Sequence, residues 1–277
     1  MKTKLKSLTF LLTLTLTTYI FANASIEWLF PYPNPEHLTK IHQVNESMLL
    51  MGTTGGLIIR SRDTANTWAN TLPFLRNNID HIDSYDSTHI FVLTGNDVIL
   101  SNDGGTTWKL LNNLPSKSCN AISFSPLRWI IADSNMIYIS KDSGLTWVHK
   151  EYKAIPNRII TINHLSIVCY NNGNIAISND SGNTWRDTIL SKNALSLNDI
   201  AYSDSAFYIA GDKGQIFFSR DFCNTWHYIN PDTGASWNSI HFSHHIGIVG
   251  GTSGIVYTST DTGNSWTKHR IPYGIPV

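Results

Sequence analysis

The chain has 277 residues, with 20 Lys+Arg against 20 Asp+Glu, 42% hydrophobic residues and only three cysteines. Balanced charge lacks the clustered basic surface and high pI of a nucleic-acid binder. Three cysteines are too few for a disulfide-stapled scaffold, and a chain of this length does not need one.

The start of the chain reads as a leader. Lys2, Lys4 and Lys6 precede an apolar run from Leu8 to Phe21, and Ala22-Asn23-Ala24 supplies a small-x-small cleavage site. The run is about 14 residues, short of the roughly 20 that cross a bilayer, so residues 1–24 are expected to be a signal peptide cleaved after Ala24. A retained membrane anchor is the alternative. Export to the periplasm or the medium would leave residues 25–277 as one folded domain, with 17 basic residues against 20 acidic ones. An odd cysteine count in an exported chain leaves at least one of Cys119, Cys169 and Cys223 unpaired.

Six copies of one eight-residue pattern then recur every 38 to 41 residues: SRDTANTW (61–68), SNDGGTTW (101–108), SKDSGLTW (140–147), SNDSGNTW (178–185), SRDFCNTW (219–226) and STDTGNSW (259–266). Such a period means one supersecondary unit repeated six times. Three residues before each serine stand Ile58, Val98, Ile137, Ile175, Ile216 and Val256, a β-branched column as an inward strand position requires. Five before it stand Gly56, Asn96, Asn135, Gly173, Gly214 and Gly254, the residues that most readily take positive φ in a hairpin turn. An apolar run such as Ile90–Leu93 lies upstream, and a shorter one such as Asn198–Tyr202 before that. Each unit reads as strands A, B and C, the eight-residue turn, and strand D beginning at the tryptophan. Six four-stranded units make an all-β, six-bladed β-propeller. Ser25–Phe30 looks like an extra D strand, expected to clasp the ring; a seventh, incomplete blade is the alternative.

The turn has a local logic. Asp63, Asp103, Asp142, Asp180, Asp221 and Asp261 can accept hydrogen bonds from the turn's own N–H groups. Trp68, Trp108, Trp147, Trp185, Trp226 and Trp266 would bury flat surface between sheets. Ala65 and Cys223 stand where the other turns have glycine, so those two are either strained by about 1 kcal/mol or shaped differently.

The pattern resembles that of Asp-box (BNR-type) propellers. The unit Gly251–Ser259 with its following turn, and the opening segment Trp28–Pro33, look most like the photosystem II stability/assembly factor-like family. That resemblance covers 25–277 and implies an exported propeller that binds a protein partner, such as a membrane-complex subunit, with no cofactor.

Other chemistries fit less well. A sialidase needs an arginine cluster, a tyrosine–glutamate pair and an acid aspartate. The four glutamates after the leader, Glu27, Glu36, Glu46 and Glu151, sit in no such context, and Arg270-Ile271-Pro272 follows the last turn where a sialidase has its arginine element before the first. The turn aspartates lack the alternating ligands and late glutamate of a calcium loop. Of His241, His244 and His245, the neighbours His244 and His245 would point to opposite faces of a regular strand, so no metal site is expected. The chain is therefore read as a monomeric, non-enzymatic protein binder. A sialidase-like glycan-binding or glycan-hydrolysing propeller is the alternative. The candidate binding rim is the one opposite the eight-residue turns, where Arg76, Lys117, Lys153, Arg158 and Lys192 fall on successive repeats beside Phe74, Tyr152 and Trp237. Such a patch would meet an acidic partner segment, although Asp97, Asp133 and Asp212 dilute it.

Overall fold

The computed structural model describes residues 38–71, 77–95, 97–116, 118–152, 154–232 and 234–270. Strands pair only with their sequence neighbours, giving six four-stranded sheets. The first is β1 (Leu38–Gln43), β2 (Leu49–Thr53), β3 (Ile58–Ser61) and β4 (Ala69–Asn70); the second is β5 (Ile79–Ser84), β6 (Ile90–Thr94), β7 (Asp97–Ser101) and β8 (Lys109–Leu110). The third is β9 (Ala121–Ser125), β10 (Arg128–Ala132), β11 (Met136–Ser140) and β12 (Val148–Glu151); the fourth is β13 (Pro156–Ile162), β14 (Leu165–Tyr170), β15 (Asn174–Ser178) and β16 (Arg186–Ile189). The fifth is β17 (Leu197–Ser203), β18 (Ala206–Gly211), β19 (Ile216–Ser219) and β20 (His227–Ile229); the sixth is β21 (Trp237–Ser243), β22 (Ile246–Gly251), β23 (Ile255–Ser259) and β24 (Thr267–Arg270). This is a six-bladed propeller, and each blade is complete from its own repeat. The leader at 1–24 and the clasping strand expected at Ser25–Phe30 lie outside the described residues.

Each third strand ends on the serine of the eight-residue turn, and each fourth strand starts one residue after the tryptophan. The β-branched column faces inward as expected: Ile58, Val98, Ile137, Ile175 and Ile216 are fully buried, and Val256 is half-buried. Gly56, Gly173, Gly214 and Gly254 all have positive φ, between 63° and 81°. At Gly214 no other residue fits, because a side chain there would collide with the carbonyl of Asp232.

The chain divides into two compact units, Met1–Trp129 with Ser140–Trp147, and Ile130–Ile139 with Val148–Val277. In the first, β2 and β6 are buried at every residue, because both faces of these second strands meet neighbouring strands or sheets. Phe91 of the second sheet stacks on Phe124 of the third at 3.9 Å, with Trp129 edge-on to both. In the second unit, Tyr208 of the fifth sheet stacks in the same way on Phe242 of the sixth at 3.6 Å. Trp237, Ile240 and Val249 complete that core.

The first strands carry a bulge that the repeat columns do not announce. Pairing slips at their second residue, leaving Thr39, Asp80, Asn157, Asn198 and Asn238 out of the ladder. A bulged residue re-aims its side chain, and here several reach the next sheet. Thr39 Oγ1 donates to the Ile79 carbonyl at 2.6 Å within the first unit. In the second unit, Asn157 Nδ2 donates to Leu197 O at 2.9 Å and Asn198 Nδ2 to Trp237 O at 2.8 Å.

Candidate functional site

The six repeated turns are built alike. In each, the serine hydroxyl donates to one carboxylate oxygen of the aspartate at 2.8–2.9 Å. The same serine oxygen accepts the N–H of the fifth turn residue at 2.8–2.9 Å. The Thr or Ser before the tryptophan donates its N–H and its hydroxyl to the carboxylate, the hydroxyl at 2.5–2.6 Å.

Donation by that hydroxyl and N–H holds the Asp142, Asp180 and Asp221 carboxyls down at about 2, with the serine adding to it. The Asp63 and Asp103 carboxyls are lowered by the same donors. At Asp261 partial burial pushes the other way, and the hydrogen bonds still bring it to about 2. A carboxylate whose lone pairs are committed in this way is a turn fastener, with little left to offer a substrate or cation.

Two consecutive residues of every turn are left-handed. The fifth has φ between 65° and 83° at Ala65, Gly105, Gly144, Gly182, Cys223 and Gly263, and the fourth between 55° and 68°. Ala65 and Cys223 thus share the glycine turns' shape and hydrogen bonds, so of the two expectations the strained one holds. The tryptophans are half-buried; Trp108, Trp226 and Trp266 pack on cores that join two sheets.

The rim residues fare unevenly. Arg76, Lys117, Lys153 and Phe74 lie outside the described residues. Lys192 is exposed in the connection from β16 to β17. Tyr152 stacks on Tyr170 at 3.8 Å, and burial pushes its hydroxyl up to about 12. Trp237 must be withdrawn as a contact residue. It is 0% exposed, because the first position of a first strand, like Ile79 and Leu197 before it, faces the core between sheets. Arg158 also changes role: its Nε lies 3.2 Å from Asp199 Oδ1, with both side chains largely covered.

That ion pair belongs to a polar lining on the first strands of the second unit. Asp199 Oδ2 accepts the Ile240 N–H at 3.0 Å and the Ser239 hydroxyl at 2.9 Å. Desolvation lowers the pKa of neighbouring His241 while Asp199 opposes the shift. In the first unit Asp83 plays the corresponding part, accepting the Phe124 N–H at 2.8 Å. The sequence reading missed this lining. Its signal was available: Thr39, Asp80, Asn120, Asn157, Asn198 and Asn238 form a polar column 20 to 22 residues before the turn serines. Among the described residues no three His, Cys, Asp or Glu side chains come together as metal ligands. His244 sits in the turn after β21 with φ 52°, outside the strand that carries His241.

No family model and no characterised protein sequence matches the chain. Solved structures do. A YCF48 protein bound to a D1 peptide matches with TM-score 0.67 and 15% identity over 85% of this chain and 81% of that one. YCF48 from Cyanidioschyzon merolae matches equally, with TM-score 0.67 and 15% identity over 86% of each chain. The GH74 xyloglucanase from Xanthomonas campestris also gives TM-score 0.67 and 15% identity, over 84% of this chain but 45% of the enzyme. The likeness is one of fold. At this identity it carries the propeller architecture and leaves the activity to be argued from the residues.

Proposed function

We propose that this chain is an exported, non-catalytic propeller of the Asp-box type that acts by binding a protein partner, as photosystem II assembly and stability factors do. The observation that carries the reading is the state of its carboxylates. A glycosidase needs one carboxyl raised to serve as acid and a second free to act as base or nucleophile. Among the described residues, the aspartates whose pKa departs from the ordinary value all depart downward, and the six that repeat are consumed by their own turns. A fold shared with a YCF48 protein bound to a D1 peptide supports a peptide or protein as ligand.

The partner surface is proposed to be the end of the second unit's sheets opposite the eight-residue turns, carried by Lys192, on a monomer in the periplasm or medium. In an antiparallel sheet of this order, the second-to-third turns and the connections between blades share that end. Affinity capture from the native host tests this: a protein retained by the wild-type chain and lost with Lys192→Glu, at unchanged Tm, is the expected result. Capture indifferent to that change removes the rim. The glycan reading keeps one specific observation in its favour, the equal fold likeness to a xyloglucanase, and predicts sugar release where the binding reading predicts none.

A further inference from the structure

Within the first unit, a cleft of about 490 Å³ opens between the second sheet and the third repeated turn. Its size falls in the range of ligand sites. At four other junctions a side chain of the preceding sheet reaches the next turn. Arg60 Nη1 and Arg62 Nη2 donate to Gly104 O of the second turn at 2.5 and 3.1 Å. Arg186 Nη2 donates to Cys223 O of the fifth turn at 2.6 Å. Arg220 Nη2 donates to Thr262 O of the sixth at 2.8 Å and to Asn264 Oδ1 at 3.1 Å. At the fourth turn Ile139 packs against Gly182, where an added Cβ would lie 3.2 Å from its Cγ1.

These arginines come from three fixed places: the residue before the turn serine, the residue after it, and the residue after the tryptophan. In the second sheet those places hold Leu100, Asn102 and Lys109, and all three line the cleft. None of the three places holds an arginine in the second sheet.

The third turn differs from its siblings where it faces this space. Its sixth residue is Leu145, 74% exposed. The equivalents Asn66, Asn183, Asn224 and Asn264 instead donate their side-chain amides to the aspartate carbonyl. The tryptophans of the fourth and sixth turns bond their own glycine carbonyls, Gly182 O and Gly263 O. Trp147 turns its indole N–H to Asn113 O at 3.0 Å instead. Gly144 O therefore does not take its own tryptophan's N–H, as Gly182 O and Gly263 O do. Tyr85 and His89, stacked at 4.7 Å, form another wall.

We infer that this cleft is a socket for an arginine side chain presented by a peptide partner, which would supply in trans the guanidinium that three other junctions carry in cis. A planar guanidinium can donate to the Ser143 and Gly144 carbonyls together and lay its face on an aromatic wall. The apolar stem would run along Leu145. Lys109 opposes a cation at the site, but a solvated ammonium on a flexible stem costs little there. As to a biological partner, the inference rests on the protein-binding reading; the socket's chemistry can be tested without it.

The test is amide NMR on the full chain with acetyl-Gly-Arg-Gly-amide as probe and its citrulline analogue as control. Saturable shifts at Ser143, Gly144 and Leu145 are expected, with citrulline weaker by about tenfold because it lacks the charge that strengthens such bonds. Asn102→Arg, which copies Arg62 and Arg220, should fill the socket, raise Tm and erase those shifts. Lys109→Arg, which copies Arg186, offers the same readout should the first variant fold poorly. Equal response to both peptides, shifts that persist in the filled variants, or shifts given only by an oligosaccharide such as cellohexaose would each overturn the socket. A chain that binds the probe yet captures no host protein supports the socket and removes the partner reading; capture without probe binding does the reverse.

Discussion

Asn198 donates its side-chain amide to the backbone carbonyl of Trp237, 39 residues away, at 2.8 Å. One residue thereby fastens the first strand of the fifth blade to that of the sixth, using a side chain that a bulge has released from its own ladder. Asn157 does the same one blade earlier, reaching Leu197 O.

Removing either amide leaves a partly buried carbonyl without its donor. Asn198→Ala and Asn157→Ala should each destabilise the chain by about 1–3 kcal/mol, read as a lower urea midpoint with an unchanged slope. Neutral substitutions would show that these inter-blade bonds contribute nothing to stability.

The turn aspartates predict how stability changes with acid. Their folded pKa values of about 2 at Asp142, Asp180, Asp221 and Asp261 lie below the roughly 3.9 of an unfolded aspartate. The unfolded chain therefore takes up protons first as pH falls. The stabilisation should be complete above about pH 4 and lost as pH falls through 2. Urea titrations between pH 6 and 2 should show this decline, and Asp142→Asn should lower the Tm at pH 6 while making it less acid-sensitive.

Turn strain makes a paired prediction. Ala65 holds φ 65° at a glycine position, so Ala65→Gly should regain about 1 kcal/mol of backbone strain and lose about 0.8 kcal/mol for one buried methyl, a nearly neutral result. Gly144→Ala incurs strain at φ 83° and sets a Cβ 2.8 Å from the Trp129 ring. It should be clearly destabilising. Thermal unfolding of the two variants side by side checks the order.

Arg158 and Lys192 looked equivalent in sequence and should behave differently. Arg158→Glu breaks the pair with Asp199 and should lower Tm. Lys192→Glu, in an exposed connection, should leave Tm unchanged and alter only partner capture. Equal thermal effects would contradict the assignment of Arg158 to the scaffold.

The contrast shows which parts of the architecture the sequence exposed. The third strands and turns were legible because their spacing to the serine is fixed: Ile58, Gly56 and Asp63 recur at constant offsets, and short-range hydrogen bonds dictate the residues. The first strands were not, because the connection before the turn varies by one or two residues and smears the Thr39–Asn238 column. Trp237 was misplaced for that reason. Aligned on its bulge, it falls with Ile79 and Leu197, both core positions. Arg158 was misplaced because its partner lies one full repeat away, a relation only the packed blades create. The cleft beside Leu145 was invisible as a cavity, yet Leu145 was the one apolar residue in its column.

The claim that this propeller binds rather than cuts is tested most directly by turnover. The purified chain, incubated with fluorogenic sialosides and a panel of plant and bacterial glycans, should release no product above buffer at any pH from 4 to 8. Saturable release of sugar would contradict the account.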